Sequence, residues 1–234
     1  METVENKVWY LKRSRLFERA SDDAIAGYEH LFTQLAYPKR TIIFEQGDVG
    51  RLVYVVKIGR IRIARATADG KEITVAILGP GDLFGEEVVF SDVVRSTFAT
   101  CLDASLLCTA RAEDLFGLLT RHPLLALNVA KYLNEQRDDA LSIAEEFAYL
   151  KVPDRLMKLL ERLVAEHGVP DPEGRLIDIR LTHADIASLI GSTRETVSSL
   201  LAQFVRDGRV AMRGRQILLP QPDSSPRRLL GSDR

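Results

Sequence analysis

The sequence predicts an α+β protein with a β-rich N-terminal half and a mostly helical C-terminal half. Short β-branched runs separated by turn residues fill the stretch between Thr41 and Thr109. One uninterrupted helical pattern follows from Leu124 to Leu150. Two short helical segments then meet at Gly191. These three observations predict a β-domain, a long connecting helix and a compact helical unit, in that order.

The β-domain is predicted from the spacing of its apolar runs. Before it, residues 8–36 carry apolar side chains at helical spacings, which predicts short helices that end before Pro38. Turns containing glycine or aspartate, such as Asp69-Gly70, separate the runs that follow, and regular strands of this kind are typical of a sandwich, jelly roll or barrel. The predicted strands are Thr41–Phe44, Leu52–Val56, Ile61–Ala64, Ile73–Leu78, Thr97–Thr100 and Ala104–Thr109.

The long helix is predicted to form a dimer. Leu133, Ala140 and Phe147 recur every seven residues, as in a coiled-coil seam, and Ala144 lies near the same stripe. The alternative is a helix packed on its own β-domain. The strongly charged opposite face and the length of the helix favour the dimer.

The C-terminal unit has the spacing of a helix-turn-helix. Val152-Pro153 ends the long helix, and the next segments are predicted as an amphipathic helix, a loop over 168–172 and a strand over 176–181. Thr182 and Ser192 are then predicted helix caps, each with an acidic residue three positions on. Gly191 permits the sharp turn between the two helices. A β-hairpin over 208–219 is predicted to form a wing.

The second helix of this motif is predicted to bind DNA. Arg194 can bond guanine O6 and N7, and Glu195 can accept from cytosine N4. The alternative is that Arg194 binds only phosphate and that Glu195 only closes a capping box. The wing arginines suit phosphate clamping, with a merely solvated loop as the alternative. Further predicted DNA contacts, mostly to phosphate, are Thr182, His183, Ser192, Thr193, Ser198, Ser199, Arg213 and Arg215.

Composition excludes several classes of protein. The net charge is −1, so basic charge for DNA must be local, and arginines outnumber acidic residues by three between residues 192 and 220. Cys101 and Cys108 fit no metal-ligand spacing and are predicted to be buried thiols. An ordinary surface role is predicted for each of the scattered histidines, His30, His122, His167 and His183, with a DNA phosphate contact as the alternative for His183. No catalytic set, signal peptide or transmembrane run is recognised, so we expect a soluble cytoplasmic protein that is not an enzyme and binds neither metal nor membrane.

Two separated motifs resemble one bacterial family. Residues 191–197, Gly-Ser-Thr-Arg-Glu-Thr-Val, resemble the recognition motif of the cyclic-AMP receptor protein/FNR (CRP/FNR) family of transcription regulators. Residues 84–90 followed by Arg95-Ser96-Thr97 resemble that family's phosphate-binding cassette. Ser199 is a departure, because the cyclic-AMP receptor protein has a second arginine there, so part of the base readout should differ.

The resemblance implies a division of the chain. Residues 1–123 would form a cyclic-nucleotide-binding-type β-roll (jelly roll) that acts as a sensor. Residues 124–152 would form the dimerisation helix and hinge, residues 153–222 the winged helix-turn-helix, and residues 223–234 a flexible tail.

The resemblance also assigns the effector pocket. Phe84 and Glu87 belong to the cassette, Gly85 lets backbone amides approach the ligand, and Glu86 accepts from the ribose 2′-hydroxyl. Arg95 and Ser96 then hold the cyclic phosphate. The alternative is an Arg95–Glu86 ion pair that closes the cavity.

The base-reading end of the pocket departs from the family. The polar pair that receives adenine falls at Ala140-Leu141, and Ser142 is the adjacent polar residue. Three hypotheses remain for the effector, in this order: cyclic AMP or a related nucleotide held with relaxed base contacts, no effector, and another small anion.

The functional prediction is a dimeric transcription regulator, an activator or one with dual action. It would bind inverted-repeat double-stranded DNA and contact RNA polymerase. A regulatory subunit that binds a cyclic nucleotide and acts by protein contact is the second hypothesis. The recognition helix and the wing favour the first hypothesis, because such a subunit needs neither.

Overall fold

The computed structural model describes residues 7–21, 25, 27–68, 70, 72–90 and 94–220. The chain divides into two compact units, Met1–Ala144 and Glu145–Arg234. The predicted tail after residue 222 and the first residues of the chain, on which the absence of a signal peptide was predicted, lie outside the described residues.

Two four-stranded antiparallel sheets form the β-roll of the N-terminal unit, so the predicted fold class is confirmed. One sheet has the order β1-β8-β3-β6 and the other β2-β7-β4-β5. Buried residues from both sheets, among them Tyr54 and Ile61, form one core cluster between them. The strands are β1 (Thr33–Tyr37), β2 (Ile42–Phe44), β3 (Leu52–Ile58), β4 (Ile61–Ala66), β5 (Glu72–Leu78), β6 (Leu83–Phe84), β7 (Phe98–Cys101) and β8 (Ser105–Arg111).

The prediction of helix up to residue 36 is wrong in its last part. Thr33–Tyr37 is a strand that pairs along its whole length with Ser105–Thr109 of β8. Before it lie the helix α1 (Lys7–Lys12) and two short 3-10 helices, Arg15–Phe17 and Glu29–Leu31. The strand conformation depends on a distant partner, because pairing with β8 satisfies the backbone hydrogen bonds of these residues. The local spacing of apolar residues gives no sign of this pairing.

Helices cover the outer face of the first sheet. The short helix α2 (Glu87–Phe90) follows β6, and α3 (Ala112–Arg121) follows β8. Their buried side chains join a second core cluster with the start of the long helix. Cys101 and Cys108 are buried thiols outside any disulfide, as predicted. His122 is not an ordinary surface residue, because its Nε2 lies 2.6 Å from the Tyr28 hydroxyl.

The long helix α4 (Pro123–Tyr149) has 27 residues, which corresponds to about 40 Å. Proline suits its first position because that residue needs no hydrogen-bonding amide. In the first half Leu125, Val129 and Tyr132 are buried against the N-terminal unit. Most side chains between Arg137 and Ala144 are exposed.

The C-terminal unit is a helical core with a four-stranded sheet of order β11-β12-β10-β9. The predicted wing is confirmed as the β11–β12 hairpin. The loop predicted over 168–172 is wrong, because Gly168–Asp171 pairs with Gly174–Ile177 as an edge strand, where Pro170 is tolerated. The elements are α5 (Val152–His167), β9 (Gly168–Asp171), β10 (Gly174–Ile177), α6 (His183–Ile190), α7 (Arg194–Arg206), β11 (Ala211–Arg213) and β12 (Gln216–Pro220).

Two features of the described residues concern membrane and metal binding. None of the helices in that part of the chain is long and apolar enough to cross a membrane. Within the same residues, no three His, Cys, Asp or Glu side chains come together in a group that could hold a metal ion.

Candidate DNA-binding surface and sensing pocket

The first helix of the helix-turn-helix begins at the predicted cap. The Asp185 amide donates to Thr182 Oγ1 over 3.1 Å, and the Thr182 amide donates to an Asp185 carboxylate oxygen over 2.8 Å. This is a complete capping box, as predicted. At the other end Gly191 adopts φ 58° and ψ 54°, a left-handed conformation that favours glycine.

The second helix begins one residue later than predicted. Its cap is Thr193, whose Oγ1 accepts from the Thr196 amide over 3.2 Å, so the prediction of Ser192 as cap is wrong. Because the cap moves to Thr193, Glu195 becomes the second helical residue and closes no capping box with Ser192. Within the described residues, Arg194 and Glu195 are exposed, and their side chains have no hydrogen bond or ion pair.

Two other predicted DNA contacts are bonded to each other. His183 Nδ1 lies 2.7 Å from Ser198 Oγ, and the Ser198 hydroxyl donates to the Arg194 carbonyl over 2.9 Å. These bonds tie the start of α6 to the first turns of α7. Ser199, by contrast, is exposed, and its hydroxyl has no hydrogen-bond partner among the described residues.

On the wing, Arg213 already has acidic partners. Its Nη2 lies 2.6 Å from a Glu173 carboxylate oxygen and 4.0 Å from one of Asp171. A DNA phosphate would therefore compete with the β9–β10 turn for this guanidinium. Arg215 is exposed at the wing tip.

The cassette of the N-terminal unit begins with a core residue. Phe84 is 3% exposed and stacks on Tyr54 at 4.9 Å between ring centroids. Its role is therefore to pack the β-roll rather than to touch an effector. Gly85 follows with φ 75°, and a Cβ atom there would lie 2.8 Å from Arg95 Nη1. Glycine at this position gives both the left-handed turn and room for the guanidinium.

The Arg95 side chain is buried in the β-roll, where only 1% of it is exposed. Its Nη1 donates to the Gly85 carbonyl over 2.8 Å and to Glu87 Oε1 over 2.7 Å, and its Nη2 donates to the Leu52 carbonyl over 2.5 Å. The guanidinium also lies 4.3 Å from the ring centroid of Phe44. Arg95 Nε is a buried donor with no hydrogen-bond partner among the described residues.

The ion-pair partner of Arg95 differs from the one considered for a closed pocket. The carboxylate is that of Glu87, not Glu86, because α2 begins at Glu87 and directs that side chain at the guanidinium. Glu86 lies beside the pair, and burial raises the pKa of its carboxyl to about 7. Near neutral pH the Glu86 carboxyl is therefore present in both its neutral and its ionised form, and either form can accept a hydrogen bond from a hydroxyl.

The base-reading end is the weaker part of the pocket. Ser142 is exposed and donates to the Asp138 carbonyl of its own helix over 3.0 Å. Ala140 and Leu141 are also exposed. Ser96 is exposed beside Arg95. The described residues therefore gather Gly85, Glu86, Glu87 and Arg95 into one cluster, while no contact joins Ser96 or Ser142 to it.

The residues predicted for the dimer seam have different surroundings. Leu133 is half-buried and packs against the core of its own unit. Ala140 and Ala144 are exposed. Phe147 packs against Gly191 of the helix-turn-helix, within the C-terminal unit.

Several contacts escaped the sequence analysis. Tyr132 of α4 is buried and donates its hydroxyl to the Leu83 carbonyl over 2.8 Å, which ties the long helix to the strand before the cassette. Gly50 covers Arg95, because a Cβ there would lie 2.4 Å from Nε. Phe44 supplies the ring under the guanidinium. Of these three residues, only Tyr132 could have been found from the sequence, because it places a polar group within an apolar helical stripe.

Comparison with known proteins identifies both units. Residues 34–122 match the model of the cyclic nucleotide-binding domain, and residues 154–224 match that of the Crp-like helix-turn-helix domain. The chain is 32% identical to the cyclic AMP receptor protein of Thermus thermophilus over 202 residues, 86% of this chain and 90% of that protein. It is 26% identical to a CRP-like cAMP-activated global transcriptional regulator of Mycobacterium tuberculosis, over 93% of this chain and 97% of that one.

Solved structures agree. The c-di-GMP responsive global regulator CLP of Xanthomonas campestris superposes with a TM-score of 0.78 at 24% identity, covering 86% of this chain and all of that one. The catabolite activator protein of Thermus thermophilus gives a TM-score of 0.53 at 30% identity, over 88% of this chain and 93% of that one. From its two domains and these relatives, the chain belongs to the CRP/FNR family of transcription regulators, with a helix-turn-helix DNA-binding domain.

Proposed function

We propose that the protein is a cytoplasmic homodimer that reads an inverted-repeat promoter site and activates transcription through contact with RNA polymerase. The observation that carries this proposal is the first turn of α7, where the side chains of Arg194 and Glu195 are exposed with no partner among the described residues. A carboxylate facing DNA is repelled by phosphates, so its place on this turn is best explained by acceptance of a bond from cytosine N4. The arginine beside it has the fork that guanine O6 and N7 require.

The remaining polar residues of the surface support this reading. The His183–Ser198 bond and the Thr193 cap hold the first turn of α7 in place. Arg215 at the wing tip can reach the backbone of DNA, and Arg213 can do so by exchanging Glu173 for a phosphate. Phosphate contacts of this kind fix the register, and Arg194 and Glu195 supply the sequence preference.

Dimerisation is proposed through the seven-residue stripe of α4. Ala140 and Ala144 are exposed small residues that would let two copies of the helix approach closely. Two copies would present their α7 helices to half-sites about one turn, roughly 34 Å, apart.

Replacing Ala140 with glutamate is expected to convert the dimer into a monomer, because it sets like charges across the seam. Sedimentation velocity at several protein concentrations measures this change. The control is Glu145→Gln, which changes one charge on the opposite face and should leave the dimer intact. An unchanged dimer in Ala140→Glu would place the seam elsewhere.

The phosphate end of the sensing pocket fits a cyclic nucleotide. When bound, the nucleotide would supply an anionic phosphate for Arg95 and a ribose hydroxyl for Glu86. The unpartnered, buried Nε of Arg95 is a donor that this chain does not itself satisfy. The two glycines next to the guanidinium leave it space.

The same contacts argue for a weak response. Three of the five N–H groups of Arg95 are already bonded to two carbonyls and to Glu87, so a phosphate can gain only the remaining two donors without displacing this set. Bonds to charged groups contribute about 1.5–3 kcal/mol each, and at Arg95 only the bonds from these two donors would depend on the nucleotide. Nothing polar at Ala140 or Leu141 adds base contacts. An effector-independent regulator is therefore the second candidate function, and the internal contacts of Arg95 favour it.

We expect DNA binding without any nucleotide, and at most about a tenfold gain with cyclic AMP, because a ligand shifts DNA affinity only by its differential affinity for two conformations. Calorimetry with cyclic AMP and cyclic GMP measures the affinity for each nucleotide. DNA titrations with and without nucleotide measure the gain in DNA affinity. Arg95→Ala should abolish nucleotide binding. Ser96→Ala, which leaves the contacts of Arg95 untouched, should weaken it slightly. Tight cyclic AMP binding with an all-or-none DNA response would contradict the proposal.

A further inference from the structure

The last turn of α4 lies against the turn of the helix-turn-helix. A Cβ atom at Gly191 would lie 2.4 Å from Cε1 and 3.1 Å from Cζ of Phe147. The aromatic ring therefore occupies the space that any side chain at residue 191 would need. Both residues belong to the C-terminal unit, so this contact is internal to the DNA-binding part of the chain.

The ring is fixed by its other neighbours. The Arg155 guanidinium lies 4.7 Å from the centroid of Phe147, within the range of a cation–π contact, and its Nη1 is 3.5 Å from the Leu150 carbonyl. One residue before the ring, Glu146 forms an ion pair with Arg162 of α5 at 2.5 Å. The turn of α4 that carries Phe147 is thus attached to α5 as well as to Gly191.

Gly191 stands directly before the residues that face DNA. It ends α6 in a left-handed conformation, and the Ser192 amide bonds back to the Ala187 carbonyl over 2.9 Å. Two residues later Thr193 caps α7, which begins with Arg194. A shift of the backbone at Gly191 must therefore move the start of the recognition helix.

We propose that Phe147 is a positioning residue for DNA recognition: its ring, seated on Gly191, fixes the first turn of α7 in the orientation that Arg194 needs to read a base. The inference rests on the proposed function of α7. It gives Phe147 a role inside one subunit, in place of the seam role predicted from its seven-residue spacing. Phe147 as a whole is 37% exposed, so its contact with Gly191 does not bury the residue completely.

This arrangement should affect specific and non-specific binding differently. A bidentate bond between arginine and guanine needs close alignment, whereas contacts with phosphate tolerate small displacements. Loss of the ring leaves the charges of the surface unchanged. Sequence preference should fall, and affinity for unrelated DNA should stay nearly constant.

The test compares Phe147→Ala and Phe147→Leu with Tyr149→Ala, a control two residues away whose side chain is 85% exposed. The probes are an inverted-repeat duplex enriched from a random library by the wild-type protein, and a random duplex of equal length. Titrations are made at concentrations where sedimentation shows the same oligomer for every variant. We expect Phe147→Ala to lose at least about tenfold in affinity for the enriched duplex and less than about twofold for the random one. Phe147→Leu should recover part of the loss, and Tyr149→Ala should match the wild type.

A double-mutant cycle tests the contact itself. Gly191→Ala alone should be strongly impaired, because alanine is strained at φ 58° and its Cβ meets the ring. The double variant Gly191→Ala with Phe147→Leu should lose several-fold less affinity for the enriched duplex than the product of the two single losses, since the smaller side chain at residue 147 makes room for the new Cβ. Amide hydrogen exchange at residues 191–197 should be faster in Phe147→Ala without DNA present.

The possible results separate the two ideas. Equal losses on both duplexes, an additive cycle, or recovery at higher protein concentration would overturn the role of Phe147, and the last result would return it to the dimer seam. If the wild-type protein enriches no sequence, the proposed function fails, and unchanged hydrogen exchange in Phe147→Ala then overturns the contact separately.

Discussion

Replacing Glu87 with alanine is expected to lower the free energy of unfolding of the N-terminal unit by about 3 kcal/mol. The substitution leaves the Arg95 guanidinium buried with two carbonyl partners and no carboxylate bonded to it. Removing one member of a buried ion pair costs about 3–5 kcal/mol, and the lower end applies because 31% of the Glu87 side chain is exposed while only 1% of Arg95 is. Amide hydrogen exchange in β3 and β8 measures the loss in this unit alone.

A matched control lies nearby. Arg111 and Glu113 form an ion pair at 3.3 Å, with 72% and 74% of their side chains exposed. Glu113→Ala should cost less than about 1 kcal/mol, because water already screens that pair. The double substitution Glu87→Met with Arg95→Met should regain most of the loss, since two apolar side chains then pack beside Phe44. A cost for Glu87→Ala no greater than that of the control would mean that Arg95 is not held by this pair.

The Arg95–Glu87 pair shows which feature of the pocket could not be predicted from the sequence. The resemblance singled out Glu86, Glu87 and Arg95, and the structure brings all three together. Which glutamate meets the arginine depends on the left-handed turn at Gly85 and on the start of α2 at Glu87. Adjacent glutamates look alike in a sequence, so only the backbone geometry decides between them. The same ambiguity moved the cap of α7 from Ser192 to Thr193, two neighbouring residues of similar capping preference.

The fold was predictable wherever the pattern is local. Alternating apolar runs, the Thr182–Asp185 capping box and the long helix without glycine or proline depend on neighbours in sequence, and the structure contains each of them. Thr33–Tyr37 was missed because its conformation depends on β8, more than 60 residues away. Gly168–Asp171 was missed because its glycine and proline are typical of a loop, whereas pairing with β10 makes an edge strand.

The residues of the predicted dimer seam show a second limit of prediction from sequence. A seven-residue spacing groups Leu133, Ala140 and Phe147 on one stripe of a helix, but it does not say what each one touches. The structure surrounds Leu133 with its own core and Phe147 with Gly191, which leaves Ala140 and Ala144 as the exposed part of the stripe. A single periodic pattern can therefore serve two kinds of contact.

Replacing Arg194 with alanine is expected to weaken binding to the preferred site by about 1–3 kcal/mol and to relax the preference at one G·C pair of each half-site. Arg194 is exposed on the first turn of α7, and within the described residues its side chain has no partner to lose. The substitution should therefore leave the stability of the protein nearly unchanged. Titrations against duplexes that vary that pair in turn measure the discrimination directly.

The matched control is Arg206→Ala, which removes the same charge from the far end of the same helix. Arg206→Ala should weaken all duplexes alike or not at all, and it should leave the order of preference intact. A uniform loss for Arg194→Ala would show that this arginine only contacts phosphate.

A gain of contact completes this test of α7. Ser199 is exposed and lies four residues after Glu195, so its side chain projects from the same face one turn further along the helix. Ser199→Arg restores the second arginine found in the cyclic-AMP receptor protein, and we expect its preferred half-site to shift toward that protein's half-site. The change should appear at a base pair next to the one read by Arg194, because successive turns of a helix in the major groove face neighbouring pairs. An unchanged preference would mean that Ser199 faces the DNA backbone. Because Glu195 lies on the same face of the helix, Glu195 would then not contact a base edge either.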